Sequence, residues 1–293
     1  MHAAMTAFQD ALLSWSEREG WRDLPWRRTR DPWSVLVSEL MLQQTQVPRV
    51  VPKYDAFLRR FPTPAACAAA PVGDVVRMWA GLGYNRRAVN LHRAAQVCVD
   101  DYGGALPDTL VDLLALPGVG PYTARAVLAF AHEQDVAVLD TNAARVVARV
   151  RGRTFALADA QSEADALVPE GRGWRWNQAI LDLGASVCTK RVPRCERCPV
   201  TRSCAWFATG RSTADPAEGS GGTSGRQSAF AGSDRQGRGR LVDALRLGPL
   251  PLEHVAATAG WPDDPHRADR IAASLVADGL AEVCPDSRVL RLP

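Results

Sequence analysis

The sequence contains no run of 18 apolar residues, so no membrane-crossing helix is expected. Its opening, MHAAMTAFQDALLSWSEREG, has none of the basic start, apolar centre and small-residue cleavage site of a secretory leader. The expectation is a soluble, cytoplasmic chain, in a reducing setting that disfavours a disulfide framework. Charge of one sign is also scarce. The 35 Lys and Arg stand against 32 Asp and Glu, a formal net charge of +3, so a nucleic-acid reading must rest on motifs rather than on overall charge. Alternating apolar and polar positions are missing from the first 208 residues, which excludes a strand-rich architecture there.

What the chain does have is helical periodicity. With 46% hydrophobic residues over 293 positions, it can bury the cores of two or three units. The helical series starts at AFQDALLSWSERE, breaks at Pro25 and Pro32, and resumes with WSVLVSELMLQQTQV. Further helical patterns run over about 48–60, 72–80, 85–101, 108–115, 121–132, 142–151, 159–168 and 174–187. Residues 209–229 are rich in Gly, Ser and Thr and predict a linker, because such a stretch buries too little apolar surface to offset its ordering entropy. From 230 to 293, three helical patterns precede a hairpin over AEVCPDSRVLRLP, which predicts a small winged-helix-like domain. The third helix of such a unit either reads DNA or packs, and Arg267 and Arg270 are the residues on which those readings diverge.

Four of the seven cysteines fall within CTKRVPRCERCPVTRSC, at Cys188, Cys195, Cys198 and Cys204. Four thiolates without histidine suit zinc or an iron-sulfur cluster. A zinc ribbon presents two close pairs, whereas only Cys195 and Cys198 form one here. Cys67, Cys98 and Cys284 are isolated and read as ordinary thiols. The C-x6-C-x2-C-x5-C spacing resembles the cluster loop of the endonuclease III and MutY superfamily of DNA glycosylases, which implies a [4Fe-4S] cluster on these four residues. Lys190, Arg191 and Arg194, with Arg197 and Arg202, crowd the same loop; they are expected to meet DNA phosphates, and a solvated charge run is the plain alternative.

About 70 residues earlier, LPGVGPYTAR places Gly118 and Gly120 between two helical patterns. Glycines there permit a tight turn and a close backbone approach, and the next helix start points bare N–H groups outward. Alone this is equally a simple turn. Its form is similar to the helix-hairpin-helix of the same superfamily, which implies duplex DNA as the partner.

The resemblance implies a fold and a chemistry. The fold is all-α: a six-helix domain over 22–134 carrying the hairpin, an iron-sulfur domain from 1–21 and 135–208, then the linker and the winged-helix-like domain. The chemistry is excision of a base, which leaves positive charge on the sugar and negative charge on the departing base. Asp140, at the junction of VAVLD and TNAARVVARV, reads locally as a helix cap and matches the family's catalytic aspartate, which stabilises the sugar cation or bonds to it transiently. Glu39, in SELMLQQTQV, matches the glutamate that protonates adenine N7 and then handles water in the MutY branch, and partial burial would suit it to acid catalysis. Tyr122 stands where bifunctional members carry a Schiff-base lysine, so a monofunctional glycosylase is expected. Asn142 matches the asparagine that orders the water and the aspartate.

Trp26, Arg27 and Gln178 fall at base-pocket positions, with plain core packing the alternative for Trp26. Gln43, Gln44 and Tyr84 match the segment that intrudes into the duplex beside the lesion. Arg86, Arg87, His92 and Arg93 read as solvated or phosphate-facing groups. Asn85 departs from the second tyrosine common in the branch, and the last 65 or so residues are too few for the larger domain that recognises 8-oxoguanine there. The expected activity is removal of adenine mispaired with 8-oxoguanine or guanine, by a monomer without membrane association. Alternatives are removal of hypoxanthine, thymine or uracil, a non-enzymatic damage-binding module, or a winged-helix regulator.

Overall fold

The structure is a computed structural model that describes residues 2–19, 22–223, 229–284 and 286–293. Its helices in the first half are α1 (His2–Glu19), α2 (Pro32–Leu42), α3 (Val47–Arg60), α4 (Pro64–Ala68), α5 (Val72–Met78), α6 (Arg86–Tyr102) and α7 (Leu110–Ala115). After these come α8 (Pro121–Phe130), α9 (Thr141–Arg151), α10 (Leu157–Asp165), α11 (Gly173–Ser186) and α12 (Ala205–Ala208). The C-terminal part holds α13 (Asp234–Leu247), β1 (Leu250–Pro251), α14 (Val255–Ala259), α15 (Pro265–Ala277), β2 (Glu282–Cys284) and β3 (Val289–Arg291). Proline stands at the first or second position of α2, α3, α4, α8 and α15. There its missing N–H costs nothing, so these prolines start helices. No helix among the described residues is long and apolar enough to cross a membrane.

Two compact units result, Met1–Pro32 with Gly120–Arg226 and Trp33–Val119 with Gln227–Pro293. In the first, α1 packs on α11 and α11 on α9. The Phe8 ring meets Trp176 edge-on, with centroids 5.4 Å apart. Phe8, Leu12, Val147 and Leu183 are fully buried here, each contributing about 1.5–3 kcal/mol of transfer free energy. In the second unit, α2 is buried over most of its circumference, from Trp33 through Met41. The three-stranded sheet has the order β1-β3-β2, all antiparallel, with Leu290 opposite both Leu250 and Val283.

These boundaries depart from the sequence-based ones. The C-terminal residues 227–293 belong with α2–α7, because Gly73 N donates to Pro293 O at 2.9 Å and Arg246 reaches Val76 O and Asn85 Oδ1. The expected linker is anchored over its described middle: Asp215 pairs with Arg149 at 2.6 Å, Gly221 N donates to Phe155 O at 2.8 Å, and the Ser220 hydroxyl accepts from Phe155 N. A few specific anchors outweigh the unfavourable composition, which is all that a local reading detects. Residues 224–228 of that stretch lie outside the described residues. The winged-helix-like expectation gains a strand, β1, since the chain after α13 runs extended against β3.

Candidate active site

Asp140 is the N-cap of α9. Its Oδ1 accepts from Asn142 N and Ala143 N, both at 2.7 Å, and its Oδ2 accepts from Asn142 Nδ2 at 2.7 Å. Burial pushes this carboxyl up, and the three donors, with Arg145 nearby, pull it back. Asn142 cannot turn its amide over, because its Oδ1 accepts from Arg145 Nη2 at 2.8 Å. Arg145 is itself fixed by Cys188 O and Gly184 O, both at 2.7 Å. The close packing of α11 on α9 needs a glycine at 184, since a Cβ there would lie 2.6 Å from Asn142 Cβ. The sequence therefore builds a carboxylate held by three donors at the start of its own helix.

One prediction follows from that network. Replacing Asn142 by Ala removes one of the donors that lower the Asp140 pKa, so the carboxylate protonates at higher pH. The acid limb of the single-turnover rate profile then moves to higher pH, and the neutral rate falls by roughly 10- to 100-fold, the worth of one hydrogen bond to a charged group. Superimposable wild-type and Asn142→Ala profiles would contradict this role.

Tyr122 is the second residue of α8 and is half-buried. Gly118 takes φ +79°, and a Cβ there would sit 2.6 Å from Asn90 Cβ, so both the backbone and the space require glycine. Gly120 caps α8 in ordinary extended geometry with open space at its Cα; what it offers is access to the helix start. Trp26 is buried in a short turn, Pro25–Arg27. The two terminal nitrogens of Arg27 bond Asp182 at 2.7 and 2.8 Å, and Arg22 joins the same carboxylate. Burial works against charge on Asp182, but Arg27 and Arg22 hold it below the usual carboxylate range. Arg27 is thus a brace to α11, one turn from the buried Gln178.

The four cysteines line one cavity together with Val146, Leu183 and Trp206. Among the described residues no group is arranged as a compact single-ion site. Burial pushes the thiols of Cys188, Cys198 and Cys204 up, Cys198 to about 12. Arg149 donates to Cys188 Sγ at 3.3 Å and to Thr189 O at 2.8 Å. Its charge is opposed by burial and sustained by Asp215 and Cys188, with a net raised pKa. Lys190, Arg191 and Arg194 lie exposed on the outside of this loop.

In the second unit, Glu39 is 4% exposed on α2. Gln44 and Tyr84 are non-glycine residues at φ +53° and +46°. Such strain persists only where the surroundings over-determine it, and Arg87 supplies that restraint. Its guanidinium donates to Met41 O (2.9 Å) and Gln43 O (2.7 Å) on one loop and to Leu82 O (3.1 Å) and Gly83 O (2.9 Å) on the other. Burial lowers its pKa to about 10. Arg87 is therefore a buried brace, and His92, bonded to Ala70 O at 2.9 Å, is buried as well. The expectation that both are solvated is corrected: their carbonyl partners lie up to 47 residues away and leave no local signature. Arg145 and Arg149 were missed for the same reason, although their i, i+4 spacing on α9 was visible.

Residues 37–167 match the family described as HhH-GPD superfamily base excision DNA repair protein. The chain is 45% identical over 284 residues to the adenine DNA glycosylase of Mycobacterium tuberculosis, covering 94% of this chain and 91% of the relative. With the adenine DNA glycosylase of Homo sapiens the identity is 42% over 217 residues, 69% of this chain and 40% of the relative. A solved thermostable thymine-DNA glycosylase superposes with a TM-score of 0.66 at 30% identity, covering 71% of this chain and 98% of that one. From the helix-hairpin-helix, the capped aspartate, the four-cysteine loop and these likenesses, the chain belongs to the adenine DNA glycosylases of the HhH-GPD superfamily of base excision DNA repair proteins.

Proposed function

We propose that the protein is a monofunctional, monomeric glycosylase that hydrolyses the bond between deoxyribose and an adenine mispaired with 8-oxoguanine or guanine in duplex DNA. The observation that carries this reading is the Asp140 network, and separately a buried carboxyl is present at Glu39. A carboxylate with three donors on it stays in place as charge develops, which is what stabilising a sugar cation requires. Glu39, as the acid, gives a proton to the leaving adenine at N7; the pair of electrons from the glycosidic bond departs with the base. Water then adds to C1' with Glu39 taking up its proton, and Asp140 holds the cation meanwhile. Asn142 keeps the carboxylate oriented.

Cys188, Cys195, Cys198 and Cys204 are assigned as ligands of a [4Fe-4S] cluster. In support, all four cysteines line one apolar-walled cavity, and among the described residues no group is arranged as a compact single-ion site. The cluster, when bound, ties the loop into one rigid piece, and the exposed Lys190, Arg191 and Arg194 then meet phosphates at fixed spacing. The backbone of 118–121 supplies a further phosphate contact without side chains. An enzyme of this kind works at the nucleoid.

The absence of a lysine at 122 makes the reaction type testable. A phenol cannot form an imine, so borohydride traps no covalent adduct, and strand scission appears only after alkali treatment of the product. A borohydride-trapped adduct, or scission without alkali, would overturn the monofunctional assignment. Removal of another base is favoured by one observation, the likeness to a thymine-DNA glycosylase, and comparison of released bases separates the two readings.

A further inference from the structure

We infer that the first helix of the winged-helix-like domain forms a DNA-strand groove with the duplex-intruding loops, and that this groove takes the strand opposite the excised base. In α15, two of the three guanidinium nitrogens of Arg267 are engaged within its own domain. They bond Asp234 and Gly232 O, and the guanidinium lies 4.0 Å from the Trp261 ring centre. Helix α13 differs. Arg235, Arg238, Gly239, Val242 and Arg246 recur at helical spacing on one face, and all of them line a groove of about 850 Å³. The other wall carries Gln43, Gln44 and Tyr84.

Charge identifies the occupant as a polyanion. Six arginines line it against two aspartates, Asp243 and Asp278. Those carboxylates hold Arg246, Arg238 and Arg86 in place and leave guanidinium capacity over, since each carries five N–H donors. Arg235 Nη1 donates to the Tyr84 hydroxyl at 3.1 Å and so joins the domain to the tyrosine at φ +46°. Arg246 Nη2 does the same for Asn85 Oδ1 at 2.8 Å. A Cβ at Gly239 would meet nothing within 4 Å, so the helix backbone is open to close approach.

The strand assignment rests on the reading of Gln43, Gln44 and Tyr84 as residues that fill the gap left by the extruded adenine. Groups in that gap face the base left behind, and the groove leads from them to α13. The strand carrying that base is therefore what the arginines meet, with Arg235 on a phosphate.

The test uses the full chain and a duplex in which 2'-fluoro substitution of the adenosine prevents cleavage. Affinity is measured over a series of salt concentrations. Arg235→Ala lowers the slope of log K against log salt by about 0.9, the loss of one phosphate contact, and Arg235→Lys restores it. Methylphosphonates flanking the base opposite the adenine weaken wild-type binding but cost Arg235→Ala less. An unchanged slope, or the same non-additivity only with methylphosphonates in the adenine strand, overturns the proposal. Adenine release by the same wild-type protein from the unmodified duplex is scored separately: its failure overturns the glycosylase reading, whereas the slopes report on the groove.

Discussion

Asp140→Asn is expected to abolish base release while leaving the fold in place. Asn is as good an N-cap as Asp, so the carbonyl oxygen still accepts from Asn142 N and Ala143 N. The second oxygen becomes an NH2 facing Asn142 Nδ2, and Asn142 cannot reverse its amide because Arg145 holds the other end. Two opposed donors cost about 1 kcal/mol of stability, a small fall in melting temperature. The loss of negative charge beside the sugar is far more serious. Single-turnover release is expected to drop at least about 10³-fold, equivalent to roughly 4 kcal/mol of transition-state stabilisation. Duplex binding persists, so the deficit belongs to the chemical step. A variant that melts like the wild type and still releases base within tenfold of its rate would remove Asp140 from the mechanism.

The second large effect concerns the acid. Glu39→Gln keeps size and hydrogen-bonding shape in the buried α2, and removes the transferable proton. General acid catalysis supplies about 10²–10⁴-fold, and a loss in that range is expected in single-turnover release. A 7-deazaadenine substrate has no N7 to protonate. It should therefore slow the wild-type enzyme severely and leave Glu39→Gln little further to lose. If the two losses multiply in full, the proton goes elsewhere or comes from another group.

Legibility in the sequence followed the range of the interactions involved. The aspartate cap, the turn at Gly118 and the four-cysteine spacing are set by residues within a turn or a short loop of one another, and local reading finds them. The helices were legible for the same reason, since burial of one face repeats along each. What stayed hidden was polar pairing across large separations. Arg27 and Asp182 are 155 residues apart, and Arg149 and Asp215 are 66 apart. Each arginine looks like surface charge until its partner is known. Arg87 shows this most plainly: three successive charged or polar residues, NRR, read as a solvated helix start, yet the last of them braces two strained loops from inside.

The same argument explains the segment after the cluster loop. Its Gly, Ser and Thr content predicts disorder, and Asp215 is one acid among many. Its partner Arg149 is 2% exposed, donates to Cys188 Sγ and approaches the Trp206 ring at 4.8 Å, so the pair closes the back of the cysteine cavity. Arg145, one turn earlier, runs from Cys188 O to Asn142. The cysteine loop and the Asp140 carboxylate thus share one polar framework on α9, and a disturbance at Cys188 is expected to reach Asp140 as well as the loop.

Release of adenine from a mispair is tested most directly by the identity of the free base formed in a single turnover with duplexes carrying adenine opposite 8-oxoguanine, adenine opposite guanine, hypoxanthine opposite thymine, and thymine opposite guanine. Free adenine is expected from the first two and no base from the others; turnover of hypoxanthine or thymine without adenine release would contradict the proposed function.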